Sequence, residues 1–135
     1  MNYLLDTNVC VSYLRGKDST KIEARLAAAL PGEVALCSVV KAELLFGAER
    51  SQQPQKNRLQ LEQFFAAFPS FPFDDPAAAI YGAIRTNLET QGTPIGPNDL
   101  MIASIALVRS LTLVTHNVSE FSRVPGLQIE DWQAT

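Results

Sequence analysis

Three carboxylates stand apart from the other acids of the chain. Asp6 follows the apolar run Tyr3-Leu4-Leu5, Glu43 has Val39, Phe46 and Gly47 at helical spacing, and Asp99 opens the apolar stretch Leu100-Met101-Ile102-Ala103. None has a Lys or Arg next to it in sequence. Asp6 also reads as a helix N-cap, and Asp99 as a first-turn acid that favours the helix dipole by under ~1 kcal/mol. Glu43 has no such ordinary role. A carboxylate on an apolar helix face is very costly unless a cation, a hydrogen-bonded network or a shifted pKa accompanies it.

Clustered carboxylates repel one another unless a cation sits among them, and oxygen donors suit a hard ion, Mg²⁺ or Mn²⁺. Zinc would want His and Cys, and the chain has one His, His116, and two distant cysteines, Cys10 and Cys37. A hard cation among acids activates water and offsets charge on phosphate oxygens, which is the chemistry of phosphodiester hydrolysis. Competing chemistries lack their residues. A single His excludes a metal-free ribonuclease working through two histidines, and neither Gly-x-Ser-x-Gly nor Gly-x-x-x-x-Gly-Lys occurs. An aspartyl-phosphate phosphatase usually has a second Asp two residues after its nucleophile, where this chain has Asn8.

The elements that must hold these acids alternate between short apolar runs and helical patterns. Tyr3 to Leu5 reads as a buried strand, followed by a short helix that Gly16 ends; a helix over 19–30 leads to a second strand at 34–37. Ser38 is expected to cap a helix to about Arg50, and a helix over 56–68 puts Leu61, Phe64, Phe65 and Phe68 on one face. Residues 71–73 suggest an edge strand, and Asp75-Pro76 an N-cap with proline opening a helix to Gln91. The turn-rich stretch 93–98 precedes an apolar helix over 99–109, a strand at 111–115 and a last strand at 127–129. Strands separated by helices cannot pair as hairpins, so the fold class is α/β: three layers, α/β/α, around a mainly parallel sheet. Ligands in such sheets bind beyond the carboxyl ends of the strands, where Asp6 and Thr115-His116-Asn117 fall.

With 135 residues and 47% hydrophobic content, the chain is expected to be one domain, 1–135, with a sizeable core and both cysteines buried and reduced. No apolar run reaches a membrane span and no signal peptide opens the chain, so a cytoplasmic location is expected, with no membrane partner. The net charge of −3 argues against nucleic acid, yet its distribution does not: residues 1–60 hold 8 basic and 6 acidic residues, and 61–135 hold 3 and 8. With Asp6 and Glu43 set aside as ion ligands, the first half is clearly positive. Arg15, Lys17, Lys21, Arg25, Lys41, Arg50, Lys56 and Arg58 are then the cations to inspect for nucleic-acid backbone contacts, Arg15, Lys17 and Lys41 foremost, with His116 as a substrate contact.

Four motifs in order carry a family likeness: Leu4-Leu5-Asp6-Thr7-Asn8; Ser38 to Gly47, S-V-V-K-A-E-L-L-F-G; Gly92 to Ala103, G-T-P-I-G-P-N-D-L-M-I-A; and Leu113 to Asn117 with the Phe121 to Leu127 run. The sequence resembles, over nearly its whole length, the PIN-domain ribonucleases of the VapC toxin type from bacterial VapBC toxin–antitoxin pairs. The resemblance implies a metal-dependent endoribonuclease acting on structured RNA such as a tRNA or an rRNA loop, with Mg²⁺ as cofactor and Mn²⁺ able to substitute. It implies Asp6, Glu43 and Asp99 as metal ligands and catalytic residues, and Asn117 where many relatives carry a fourth acid. An amide there offers a carbonyl oxygen but no charge. Thr7, Thr115 and Glu120 are implied as auxiliaries that orient the acids. A VapB-like antitoxin that covers the site and a homodimer are the implied partners. The alternative from another class is a non-catalytic RNA- or protein-binding module of the same fold, its acids reduced to caps and network members.

Overall fold

The computed structural model describes residues 2–134; Met1 and Thr135 lie outside them. The chain runs β1 (Tyr3–Leu5), α1 (Thr7–Arg15), α2 (Thr20–Ala28), β2 (Val34–Cys37), α3 (Ser38–Glu49), α4 (Pro54–Ala66), β3 (Ser70–Phe71), α5 (Asp75–Thr90), α6 (Pro97–Val108), β4 (Thr112–Val114), α7 (Val118–Phe121) and β5 (Ile129–Glu130). The sheet has the order β3-β2-β1-β4-β5, and every neighbouring pair is parallel. In β2 and β4 every residue is buried, so side chains pointing to both faces are covered. That is the three-layer arrangement expected of a parallel sheet.

The order of the strands creates the site. From β1 the chain moves outward to β2 and β3, then crosses back to lay β4 on the other side of β1. The carboxyl end of β1 is therefore a switch point, where the segments following β1, β2 and β4 diverge and leave a crevice. Leu4 pairs with Ala35 on one side and with Leu113 on the other, which fixes the depth at which each segment leaves the sheet.

Packing explains why the central strands and α6 hold still. Leu4, Leu5, Leu36, Leu113 and Val114 are fully buried, and α6 contributes Leu100, Ile102, Ala103, Ile105 and Ala106 to the same core. Such a helix, apolar nearly all round, has to lie inside the molecule. Cys10 and Cys37 are free and buried as expected. Burial raises both thiols, Cys37 to about 11, so neither is a nucleophile at neutral pH.

Several boundaries differ from the sequence reading, each for a local reason. α4 starts at Pro54, two residues earlier than expected, because proline fits the first helical turn. α5 is capped by Asp74 instead of Asp75: the Asp74 carboxylate accepts the Ala77 N–H at 3.1 Å and pairs with Arg109 at 3.0 Å. Ser38 does not cap α3 but begins it, and its hydroxyl accepts the Phe73 N–H at 3.3 Å. β3 stops at Phe71, before Pro72, whose missing N–H ends the ladder. β5 forms at Ile129–Glu130, two residues beyond the start of the expected strand. Among the described residues no helix is long and apolar enough to cross a membrane.

Gly16 closes α1 in the left-handed region at φ 68°, its N–H returning to the carbonyls of Ser12 and Tyr13. A side chain strains that conformation. Gly16→Ala is expected to cost about 1 kcal/mol, read as a lower urea midpoint at unchanged slope.

Candidate active site

Asp6 sits where β1 passes into α1. It caps the helix, its Oδ1 accepting the Val9 N–H at 2.8 Å, and its own N–H bonds the Val114 carbonyl at 3.1 Å across to β4. The capping reading and the functional reading therefore coexist in one side chain. Asp6 is only 4% exposed, and burial raises its pKa against the lowering effects of hydrogen bonds from Thr115 and Val9; Glu43 nearby raises it further. The Thr115 hydroxyl, fully buried, also accepts the Asn117 N–H at 3.0 Å, so one threonine ties the β4 exit to Asp6.

Glu43 lies on the half-buried face of α3 and is held through both oxygens. The Thr7 hydroxyl donates to Oε1 at 2.5 Å and the Asn98 amide to Oε2 at 3.3 Å. Two hydrogen bonds from different elements answer the question the sequence raised about a carboxylate on an apolar face. Asn98 is a residue the sequence reading missed. Its one signal was its place in the turn before Asp99.

Asp99 occupies the third residue of α6, because the helix begins at Pro97 with Gly96 as its cap. Burial, a hydrogen bond with Glu120 and the charges of Glu120, Glu43 and Asp6 together raise its pKa to about 7. Glu120 goes the other way. Burial alone would raise it, but hydrogen bonds from Asn117 and Asp99, the Gly96 N–H and the charge of Arg123 outweigh that and hold it below the usual glutamate value. The distances are 2.8 Å from Asn117 Nδ2 and 3.1 Å from Gly96 N. The two carboxyl groups titrate as a pair, Asp99 raised and Glu120 lowered by their contact.

The sequence-predicted acids thus converge from three elements closely enough for Glu43 and Asp6 to act on Asp99, with Glu120 against Asp99 and Asn117 bonded to Glu120. Among the described residues, Asp6, Glu43 and Asp99 form no ion pair with any Lys or Arg. No three His, Cys, Asp or Glu side chains among the described residues form a ready-made metal cage, and Asp99 faces Glu120. The donor set itself is all oxygen, carries uncompensated negative charge and is ordered by hydrogen bonds, which is what a hard divalent cation takes.

The basic candidates divide. Arg15 is exposed at the end of α1 and lines, with Thr7, Glu43, Asn57 and Gln60, a groove of about 300 Å³ leading to Glu43. Lys17 is exposed just beyond it. Lys41 turns toward α4, its Nζ 5.0 Å from the Phe65 ring centre, since two residues along a helix place it away from the Glu43 face. Arg25 and Arg58 are engaged with Glu130 and Glu49. His116 is exposed and tethered to Asp131 at 3.0 Å.

The PIN domain family model matches residues 3–127. The tRNA(fMet)-specific endonuclease VapC of Shigella flexneri is 39% identical over 132 residues, 98% of each chain. Among solved structures, DNA-bound VapBC from Salmonella typhimurium superposes with a TM-score of 0.92 at 37% identity, covering 98% of both chains. VapBC2 from Rickettsia felis bound to a promoter DNA fragment gives 0.87 at 38%, over 98% of this chain and 99% of that one. Likeness of this extent, over the same segments that carry the acids, places the chain in the PIN domain family, among the VapC ribonucleases.

Proposed function

We propose that this chain is a metal-dependent endoribonuclease, the toxin of a toxin–antitoxin pair, which cuts a structured RNA of the tRNA class and is inhibited by a VapB-like antitoxin. The observation that carries the reading is the meeting of Asp6, Glu43 and Asp99 at the switch point of the sheet without a basic partner. The tRNA class follows from the Shigella relative's name, and the antitoxin from the VapBC complexes. Asp6, Glu43 and Asp99 would hold Mg²⁺ or Mn²⁺, with Asn117 and Glu120 at the margin. When bound, the cation supplies Lewis acidity that makes water a nucleophile near neutral pH and offsets charge gathering on the phosphate.

The chain's own contribution is preorganisation. Val9 N–H and the Thr115 hydroxyl fix the Asp6 carboxylate, and Thr7 with Asn98 fixes that of Glu43. Asp99 would be ionised when it holds the cation, and the Gly96 N–H and Asn117 amide favour the charged form of Glu120 beside it. Arg15 and Lys17 offer positive charge along the approach for the phosphate backbone. Removing a hydroxyl that orients a ligand typically costs roughly 10- to 100-fold in metal affinity or activity. Thr115→Val is expected to fall in that range, measured as a weaker Mn²⁺ affinity in calorimetry with the melting temperature little changed.

The test is incubation of total tRNA with the protein in Mg²⁺, with and without EDTA, beside Asp6→Ala. Cleavage that EDTA and Asp6→Ala both abolish, leaving 5′-phosphate and 3′-hydroxyl ends, is expected. Equal cleavage by the variant, or 2′,3′-cyclic phosphate ends, contradicts the mechanism; no cleavage by the folded parent favours a binding module.

A further inference from the structure

We infer that Phe46 is the platform on which a base of the RNA substrate stacks, next to the phosphate that is cut. The inference rests on the ribonuclease reading above and assigns it a substrate-positioning residue. Phe46 is 60% exposed, whereas every other Phe, Tyr and Trp among the described residues is buried or half-buried. It lies three residues beyond Glu43 on α3, hence on the same helix face and adjacent to it. The two share a groove of about 440 Å³ between α3 and the start of α6. Val39 and Met101 give that groove an apolar floor; Ser38, Asn98 and Glu43 give it polar edges. Its volume falls within the roughly 300–1,000 Å³ of small-ligand sites.

One turn further along, the Arg50 guanidinium lies 5.1 Å from the centre of the Phe46 ring. That cation covers one face of the ring, so a base would stack on the other, and it favours an anionic neighbour, a pairing suited to a nucleotide with its flat apolar base and charged phosphodiester. Sequence-specific proteins take hold of single-stranded RNA loops by stacking splayed bases on aromatic side chains and by bonding their edges. Here the edge partners within the groove are the Asn98 amide and the Ser38 hydroxyl. Asn98 also bonds Glu43, so a base seated in the groove lies one hydrogen bond from a carboxylate proposed to hold the cation. Occupancy of the groove is thereby continuous with the site of cleavage, and a nucleobase is the occupant that meets the aromatic, the cation and the acid together.

Two readouts test the assignment. With total tRNA in Mg²⁺, Phe46→Ala and Phe46→Leu raise KM roughly 10- to 100-fold with kcat less affected, and Phe46→Trp restores KM, as expected when stacking is lost and regained. Mn²⁺ affinity stays unchanged in all three. Stacking is read apart from cleavage in an Asp99→Asn background, from quenching of 2-aminopurine within a single-stranded RNA oligonucleotide. Quenching is expected with Phe46 present and with Phe46→Trp, and is lost in Phe46→Leu. A Phe46→Leu protein that cleaves and quenches like its parent overturns the inference. So does a Mn²⁺ affinity that shifts with Phe46, which marks a structural role, or a sedimentation mass that falls with Phe46→Ala, which marks an interface between copies. Quenching that depends on Phe46, in a protein whose parent does not cleave, supports the stacking and removes the ribonuclease reading alone.

Discussion

Asp99→Asn is expected to lower the proposed RNA cleavage by about a thousandfold, or about 4 kcal/mol of transition-state stabilisation, and at the same time to raise the melting temperature of the metal-free protein at pH 8. The two effects have one origin. Ionised Asp99 faces Glu120, Glu43 and Asp6, and burial raises the cost of that charge further. An amide keeps a hydrogen bond to Glu120 and removes the repulsion, so the fold gains what the cation loses. Opposed changes of this kind mark a site kept for function at the expense of stability. Thermal melts in EDTA and initial cleavage rates in Mg²⁺ check both halves. A variant that loses activity and melts lower would place Asp99 in the fold instead of the chemistry.

The second large effect is on pH. Asp99 in the folded chain holds its proton up to about 7, against 3.8 for an ordinary aspartate. Between these values the folded state binds more protons than the unfolded one. Its contribution to stability is complete at low pH and is lost as the pH rises through about 7. The metal-free protein is therefore expected to melt lower at pH 8 than at pH 5.5, and Mg²⁺ is expected to reverse much of the loss. Cation and proton compete for the same carboxylate, so metal affinity should climb by up to about tenfold per pH unit below 7 and level off above it. Calorimetric Mn²⁺ titrations at pH 6, 7 and 8, in buffers of different ionisation enthalpy, should show about one proton released at pH 6 and little at pH 8. Asp99→Asn should flatten that profile.

Much of this site could be read from residue order. Asp6 was legible because a strand of three apolar residues runs straight into a helix, and Glu43 because nothing in an apolar helix face explains a charge. The parallel sheet followed from strands always separated by helices. Harder to read were features made by long-range contacts. Asn98 meets Glu43 across 55 positions, and Gly96 meets Glu120 across 24. Glu120 entered as an auxiliary only through the family resemblance, because α7, four residues long, is too short to carry a periodic signal. Helix starts at Pro54 and Pro97 were masked because proline inside a polar or turn-rich stretch reads as a break, although it fits a first turn equally well. Among the cations, sequence put Arg15 ahead of Arg25 and Arg58 through its place after the helix that follows Asp6, and Arg15 does line the groove beside Glu43; it ranked Lys41 equally, although that side chain turns to the Phe65 ring.

The central claim is that Asp6, Glu43 and Asp99 share one divalent cation. Anomalous scattering from crystals of the protein grown at pH 8 with Mn²⁺ tests it most directly. The expected result is a manganese peak at roughly 2.0–2.3 Å from carboxylate oxygens of all three residues, with Asp99 turned from Glu120 toward the ion. A peak seated elsewhere, or none at saturating Mn²⁺, would contradict it.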